Sequence, residues 1–299
     1  MTGAVMQANS PSSDYVRPAS IEETTNRLVI HPLSGMVASG ALRLGLSANQ
    51  LSVAGLFCGW AAAGFYFYQP DRKMVIAGFL AMVAWHIFDG ADGRVARATG
   101  TSSAIGRIID GICDHLVFAA VYIAITISMI FAGSSPLIWL LVIAAGMSHA
   151  VQAAAYEERR QRYQRRSRGV SRDDANKRLL HVGGNSSAIA LIYDRIQRLA
   201  SSKETPLDEV LFSLRKRQDS GDIIQSAANR TALVVRRWSI LNANNRTIMI
   251  TLACFIGRPI FYFAYELVVL NMILVGLLIY EQRVENGIYR DIAPNAGMQ

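Results

Sequence analysis

The sequence predicts an all-α polytopic membrane protein, with six transmembrane helices and a polar, mainly helical cytosolic insert between the fourth and the fifth. Three observations predict it. Of the 299 residues, 52% are hydrophobic, above the share of an ordinary globular chain. Those residues gather in long apolar runs, and the mean hydropathy is positive. The charges collect elsewhere: residues 156–246 hold 19 Lys and Arg against 10 Asp and Glu, a surplus of nine, whereas the whole chain carries a net +8.

Residues 1–46 contain Pro11, Pro18 and several Ser and Thr. They lack a compact apolar core followed by a small-residue cleavage site, so they read as an N-terminal cytosolic or interfacial segment and not as a cleaved signal peptide. A spanning helix needs roughly 20 mostly apolar residues, and six stretches qualify or nearly qualify: 48–68, 73–95, 106–132, 136–156, 247–264 and 265–282. Gln69-Pro70-Asp71-Arg72 separates the first pair and Gly133-Ser134-Ser135-Pro136 the third from the fourth, both with turn chemistry. The chain thus divides into helices one to four at 47–156, a basic insert at 157–246, helices five and six at 247–283, and a tail at 284–299.

Lys and Arg set the orientation. Three precede the first helix, Arg72 and Lys73 follow it, Arg94, Arg97 and Arg107 flank the loop between helices two and three, and the large block follows helix four. An excess of positive charge marks cytosolic loops, which places both termini, the loop at 94–107 and the insert in the cytosol, at the cytoplasmic membrane if the source is bacterial. A basic block set between apolar runs suits anionic lipid head groups and not nucleic acid. Its opening, Arg159-Arg160-Gln161-Arg162-Tyr163-Gln164-Arg165-Arg166, reads as a lipid-facing anchor. Cys58, Cys113 and Cys254 each lie in an apolar run and offer neither a disulfide framework nor a zinc pattern.

The chemistry concentrates in Phe88-Asp89-Gly90-Ala91-Asp92-Gly93-Arg94-Val95-Ala96-Arg97, followed by Gly106-Arg107-Ile108-Ile109-Asp110-Gly111-Ile112-Cys113-Asp114. On helices, Asp89 and Asp92 share one face, and so do Asp110 and Asp114. Four uncompensated carboxylates at the edge of hydrocarbon repel one another and are costly to desolvate, so a counter-charge is required. An oxygen-only set suits Mg²⁺ or Mn²⁺ and argues against zinc. Two such ions about 4 Å apart can hold a diphosphate and stabilise its leaving group. Gly90, Gly93, Gly106 and Gly111 permit close approach of a helix or nucleotide, and Arg97 supplies a planar fork for phosphate.

This pattern, D-x-x-D-G-x-x-A-R, eight residues, G-x-x-x-D-x-x-x-D, resembles the signature of the CDP-alcohol phosphatidyltransferase family at every fixed position. The resemblance is strong over residues 47–115 and rests on topology beyond them. It implies six transmembrane helices, a homodimer, and transfer of a phospho-alcohol group from a CDP-alcohol donor, such as CDP-diacylglycerol, to the hydroxyl of a small alcohol or polyol acceptor, with release of CMP. It further implies two divalent ions, Mg²⁺ or Mn²⁺, ligated by Asp89, Asp92 and Asp110, with Asp114 as general base and possible contact to the second ion. Gly93, Arg97 and Ser103 would bind the cytidine diphosphate, and Gly106 would let it approach. Ser47-Ala48-Asn49-Gln50-Leu51-Ser52 resembles the family's short Asn-containing stretch near the nucleotide, which brings Asn49 into the set. The insert departs from the family's compact members.

Outside the motif, Arg258 is a lone cation in the fifth apolar run; anchoring a phosphorylated acceptor and pairing with Glu266 both stay open. His115 and His149 read as hydrogen-bonded helix residues, and Tyr156 and Glu157 as either acceptor-facing or a solvated helix end. Two further readings stay open for the whole chain: an intramembrane-carboxylate cation transporter, and an enzyme using a soluble CDP-alcohol.

Overall fold

The computed structural model describes residues 21–102, 104–168, 205–215 and 220–296. Among the described residues every regular element is a helix: α1 (His31–Arg43), α2 (Ala48–Phe67), α3 (Arg72–Ala98), α4 (Ala104–Phe131), α5 (Ile138–Arg168), α6 (Pro206–Arg215), α7 (Gly221–Trp238), α8 (Ala243–Phe255), α9 (Ile260–Ala264) and α10 (Leu270–Ala296). A π-helical turn at Asn26–Ile30 leads into α1, and another at Tyr265–Val269 joins α9 to α10 in one continuous rod.

Local sequence explains where these helices begin. Ser47 caps α2 in a capping box with Gln50, whose side chain accepts from the Ser47 backbone at 2.8 Å. Asp71 caps α3 through the Lys73 amide at 2.8 Å, and Asn242 caps α8 through the Asn245 amide at 2.7 Å. Each cap satisfies a donor that the first helical turn would leave unpaired.

α2 to α5, α8 and α9 pack around Tyr66, Met82, Trp85, Val121, Ile125, Ile250 and Phe263. Small residues let the backbones meet: a Cβ at Gly59 would lie 2.5 Å from the Val117 side chain, and one at Gly78 would lie 3.2 Å from the Tyr66 ring. Apolar side chains also point outward, among them Phe57, Leu80, Leu140, Met147, Met272 and Val275. A bundle apolar inside and out is one whose solvent is hydrocarbon.

Among the described residues, five helices are long and apolar enough to cross a membrane: Ala48–Phe67, Arg72–Ala98, Asp110–Phe131, Ile138–Ser167 and Ile260–Pro294. The division expected at 264/265 is corrected, because the break falls at Ile256–Pro259. Gly257 adopts a φ of +76° there, the left-handed cap that favours glycine, and the Arg258 amide closes back on the Ala253 carbonyl at 2.9 Å. Pro259 then opens α9, where its missing N–H is no loss. α8, at 13 residues, is only about 20 Å long.

The basic run is corrected as well. α5 continues straight through it, and its arginines turn inward. Arg159 pairs with Glu281 at 3.0 Å and lies over the Trp238 ring, Arg165 pairs with Glu158 at 3.0 Å, and Arg166 pairs with Asp208 at 2.6 Å and Glu285 at 2.7 Å. The cations bind protein carboxylates across α5, α6 and α10 in place of lipid head groups. Burial alone would raise the Asp208 carboxyl, yet the Arg166 guanidinium and the Thr205 amide outweigh it and hold its pKa below the ordinary 3.8. The expected tail is also ordered over 284–296: Ile288, Ile292 and Ala293 of α10 pack on Leu207, Val210, Leu211 and Leu214 of α6.

Candidate active site

α3 ends in a tight return. Gly100 takes a φ of +68°, and the Thr101 amide reaches back to the Ala96 carbonyl at 2.9 Å, so α4 starts beside the end of α3. The last turns of α3 carry Asp89 and Asp92, and the first turns of α4 carry Asp110 and Asp114. One ligand oxygen each from Asp89, Asp92 and Asp110 lies within 4.8 Å of the others. The Asp114 carboxyl lies against that of Asp89, which brings the fourth carboxyl to the same point.

Ionised carboxylates at that spacing repel by about 3–4 kcal/mol per pair at an effective dielectric of about 20, so the cluster calls for a hard cation. The donor set fits one, since all ligand atoms are carboxylate oxygens and, among the described residues, no thiolate or imidazole joins the group, the chemistry that Mg²⁺ and Mn²⁺ take.

Neighbouring groups shape the site. Ser52 of α2 donates to Asp92 Oδ2, a contact across 40 residues of sequence. Arg97 folds back over Gly93, where a Cβ would lie 3.2 Å from its Nη1. The start of the chain covers the other side of α3: a Cβ at Gly90 would meet Ser34 at 3.1 Å and Ile30 at 3.9 Å, and Gly35 lies against the Arg94 guanidinium.

Of the residues expected at the site, Asp89, Asp92, Asp110 and Asp114 converge, and Gly93 and Arg97 lie one and two turns past Asp89 on α3. Gly106 is exposed in the first turn of α4, and Asn49 is exposed in the first turn of α2. Ser103 lies outside the described residues. Arg258 is not brought to the site. It is exposed at the α8–α9 break, next to Phe255, over whose ring the Arg72 guanidinium sits. Arg72 starts α3 and Asp89 lies 17 residues on, about 26 Å along the helix, so Arg258 belongs to the opposite end of the bundle. Its suggested partner Glu266 is held instead by Arg246 Nε at 3.2 Å and by the Tyr262 hydroxyl at 2.9 Å.

His149 has a packing role, its Nδ1 2.9 Å from the Tyr122 hydroxyl. His115 Nδ1 bonds to its own helix at the Gly111 carbonyl, 2.6 Å away. Tyr156 turns towards the N-terminal segment and donates to Glu23 at 2.7 Å. Sequence reasoning passed over the roles of Ser52 and Glu23 and the buried network that joins Arg246 to Glu266 and Gln152. Ser52 stood inside the Asn-containing stretch, one turn past Asn49, which was the available signal.

Residues 46–174 match the family model described as CDP-alcohol phosphatidyltransferase. The chain is 34% identical over 88 residues to phosphatidylinositol phosphate synthase of Mycobacterium tuberculosis (strain ATCC 25618 / H37Rv), a match covering 29% of this chain and 38% of that protein. It is 29% identical over 99 residues to ethanolaminephosphotransferase 1 of Homo sapiens, covering 30% of this chain and 24% of that protein. The chain therefore spans between a quarter and two fifths of the relatives it matches. Residues 46–174, the span that matches the CDP-alcohol phosphatidyltransferase family model, hold all four converging aspartates.

Proposed function

We propose that the chain is a membrane-embedded transferase that moves a phospho-alcohol group, phosphatidyl in the first instance, from a CDP-alcohol such as CDP-diacylglycerol to the hydroxyl of a second alcohol in phospholipid synthesis. The observation that carries this reading is the convergence of four carboxylates from two helices at one end of an apolar bundle. A diphosphate needs concentrated positive charge. Asp89, Asp92, Asp110 and Asp114 would hold divalent ions, which when bound supply the charge that binds the diphosphate and stabilises the departing CMP.

The chain's own residues do the rest. Arg97, with Gly93 beneath it, grips the donor phosphates through a planar fork. Ser52 fixes the carboxylate plane of Asp92. Asp114 accepts the proton of the acceptor hydroxyl as its oxygen attacks the alcohol-bearing phosphorus in line. The new P–O bond forms as the bond to the CMP oxygen breaks, and CMP leaves with that electron pair. In orientation, the surplus of Lys and Arg beyond α5 supports a site facing the cytosol, where nucleotide-activated donors are made. A homodimer belongs to the same reading through the resemblance.

The test is CMP release by the purified chain in detergent with Mg²⁺ or Mn²⁺. CDP-diacylglycerol with small alcohols, and soluble CDP-alcohols with diacylglycerol, are the two donor arms. Metal-dependent CMP release that falls about 10²–10⁴-fold in Asp114→Asn, the range expected for a lost general base, supports the reading. Absence of CMP in both arms, with no donor binding, refutes it and moves attention to cation transport.

A further inference from the structure

We propose that the recess between the Ile21–Asn26 segment and α5 seats the acceptor alcohol, and that Glu22 and Glu23 on its wall select an acceptor without a phosphate. The inference rests on the transferase reading and adds the acceptor's chemical class. Ile21, Glu22, Glu23, Asn26, Tyr156 and Arg160 line this recess.

Its position suits an acceptor. Ile30, one turn along the same segment, packs against Gly90, the residue after Asp89. Arg160 on the far wall is close enough to Asp89 for that carboxylate to act on its guanidinium. An alcohol seated here therefore lies on the side of the bundle that carries Asp89.

Its charge decides the class. The single guanidinium is already engaged, Arg160 Nη1 donating to Glu157 Oε2 at 2.7 Å. Glu23 Oε1 accepts from the Tyr156 hydroxyl at 2.7 Å, and its Oε2 accepts from Asn242 and, at 3.4 Å, from Asn26. These bonds fix the Glu23 carboxylate at the wall. Glu22 is paired at 2.5 Å with His31. A phosphorylated acceptor would bring up to two more negative charges against two carboxylates and one shared cation. Hydroxyls, or an ammonium, instead donate to the carboxylates and the phenol. The shared chemistry is a small alcohol rich in donors and free of anionic groups.

The experiment measures kcat/KM for CMP release by the full chain in detergent with CDP-diacylglycerol, Mg²⁺ and paired acceptors: glycerol and glycerol phosphate, inositol and inositol phosphate, ethanolamine and phosphoethanolamine. The unphosphorylated member should be preferred at least about 100-fold in one or more pairs, and the pair that responds tells a neutral polyol from an amino alcohol. Glu22→Gln and Glu23→Gln, which keep side-chain length and acceptor oxygens, should raise KM for that acceptor about tenfold with kcat within about twofold, and should narrow the preference. A merely structural role would lower thermal stability without that split. Preference for the phosphorylated members, an unchanged ratio in both variants, or turnover with a soluble CDP-alcohol and diacylglycerol but with none of the small acceptors overturns the recess assignment and leaves the transferase standing. No CMP under any of these conditions overturns the transferase reading and the assignment with it.

Discussion

Arg246 is 1% exposed and Glu266 0%, so their ion pair is the most deeply buried charge in the bundle for which both partners are seen. Arg246 donates from Nε to Glu266 Oε2 at 3.2 Å and from Nη2 to Gln152 Oε1 at 2.7 Å, and it also reaches the Leu241 carbonyl. Arg246→Leu would leave a buried carboxylate whose remaining partner is the Tyr262 hydroxyl at 2.9 Å, together with a glutamine short of a donor. Breaking one side of such a pair costs about 3–5 kcal/mol, whereas replacing both sides with neutral groups of similar volume is often close to neutral. For a chain of this size about 1 kcal/mol shifts Tm by roughly 2 °C, so the single variant should melt about 6–10 °C below wild type. Arg246→Leu combined with Glu266→Gln should recover most of that loss. The assay is thermal unfolding in detergent followed by intrinsic fluorescence. A single variant within about 2 °C of wild type, or a double variant no better than the single, would refute the argument that this charge pair is held by mutual compensation.

Other expectations follow from the same contacts. A side chain at Gly59 must displace Val117, 2.5 Å from the would-be Cβ; Gly59→Leu should abolish recovery of folded protein, and Gly59→Ala should be improved by Val117→Ala, both read by monodisperse elution. Ser52→Ala removes the donor to Asp92 and should lower CMP release about tenfold, the kinetic equivalent of one hydrogen bond of about 1.4 kcal/mol, with unchanged melting. Asp208, held below its ordinary pKa of 3.8 by Arg166, stabilises the packing of α5 on α6 in full above that value, and this contribution is lost as pH falls through the lowered folded pKa. Limited proteolysis of the segment over 205–296 should therefore accelerate below about pH 4 in wild type, and Asp208→Asn should flatten that pH dependence.

Four of the helices could be read directly, because each is an apolar run bounded by turn chemistry and the bilayer fixes its minimum length. The carboxylate cluster was legible for a related reason: i,i+3 and i,i+4 spacings determine faces before any tertiary structure is known. What escaped depended on distant partners. The arginines of 159–166 read as lipid-facing because the carboxylates that bury them, Asp208, Glu281 and Glu285, come 42 to 122 residues later, and local sequence cannot pair charges over that range. Arg258 looked like a charge within a span because the apolar run around it is continuous, yet Gly257 and Pro259 turn that run into two helix ends. Ser52 met Asp92 only once α2 had packed against α3. Composition marked Arg246 as part of a polar insert, and packing made it a buried member of the bundle.

Transfer by the proposed route requires the four aspartates to act as one unit in a single site. The most direct measurement is CMP release by Asp89→Asn, Asp114→Asn and their double variant, assayed with the donor and acceptor that wild type turns over, alongside melting curves. If the carboxylates form one unit, each single variant loses at least about 100-fold, the double falls no further than the worse single, and all three melt as wild type or higher, because like-charge repulsion has been relieved. Either single variant keeping activity near that of wild type, or a double variant whose loss is the product of the two, would contradict the account.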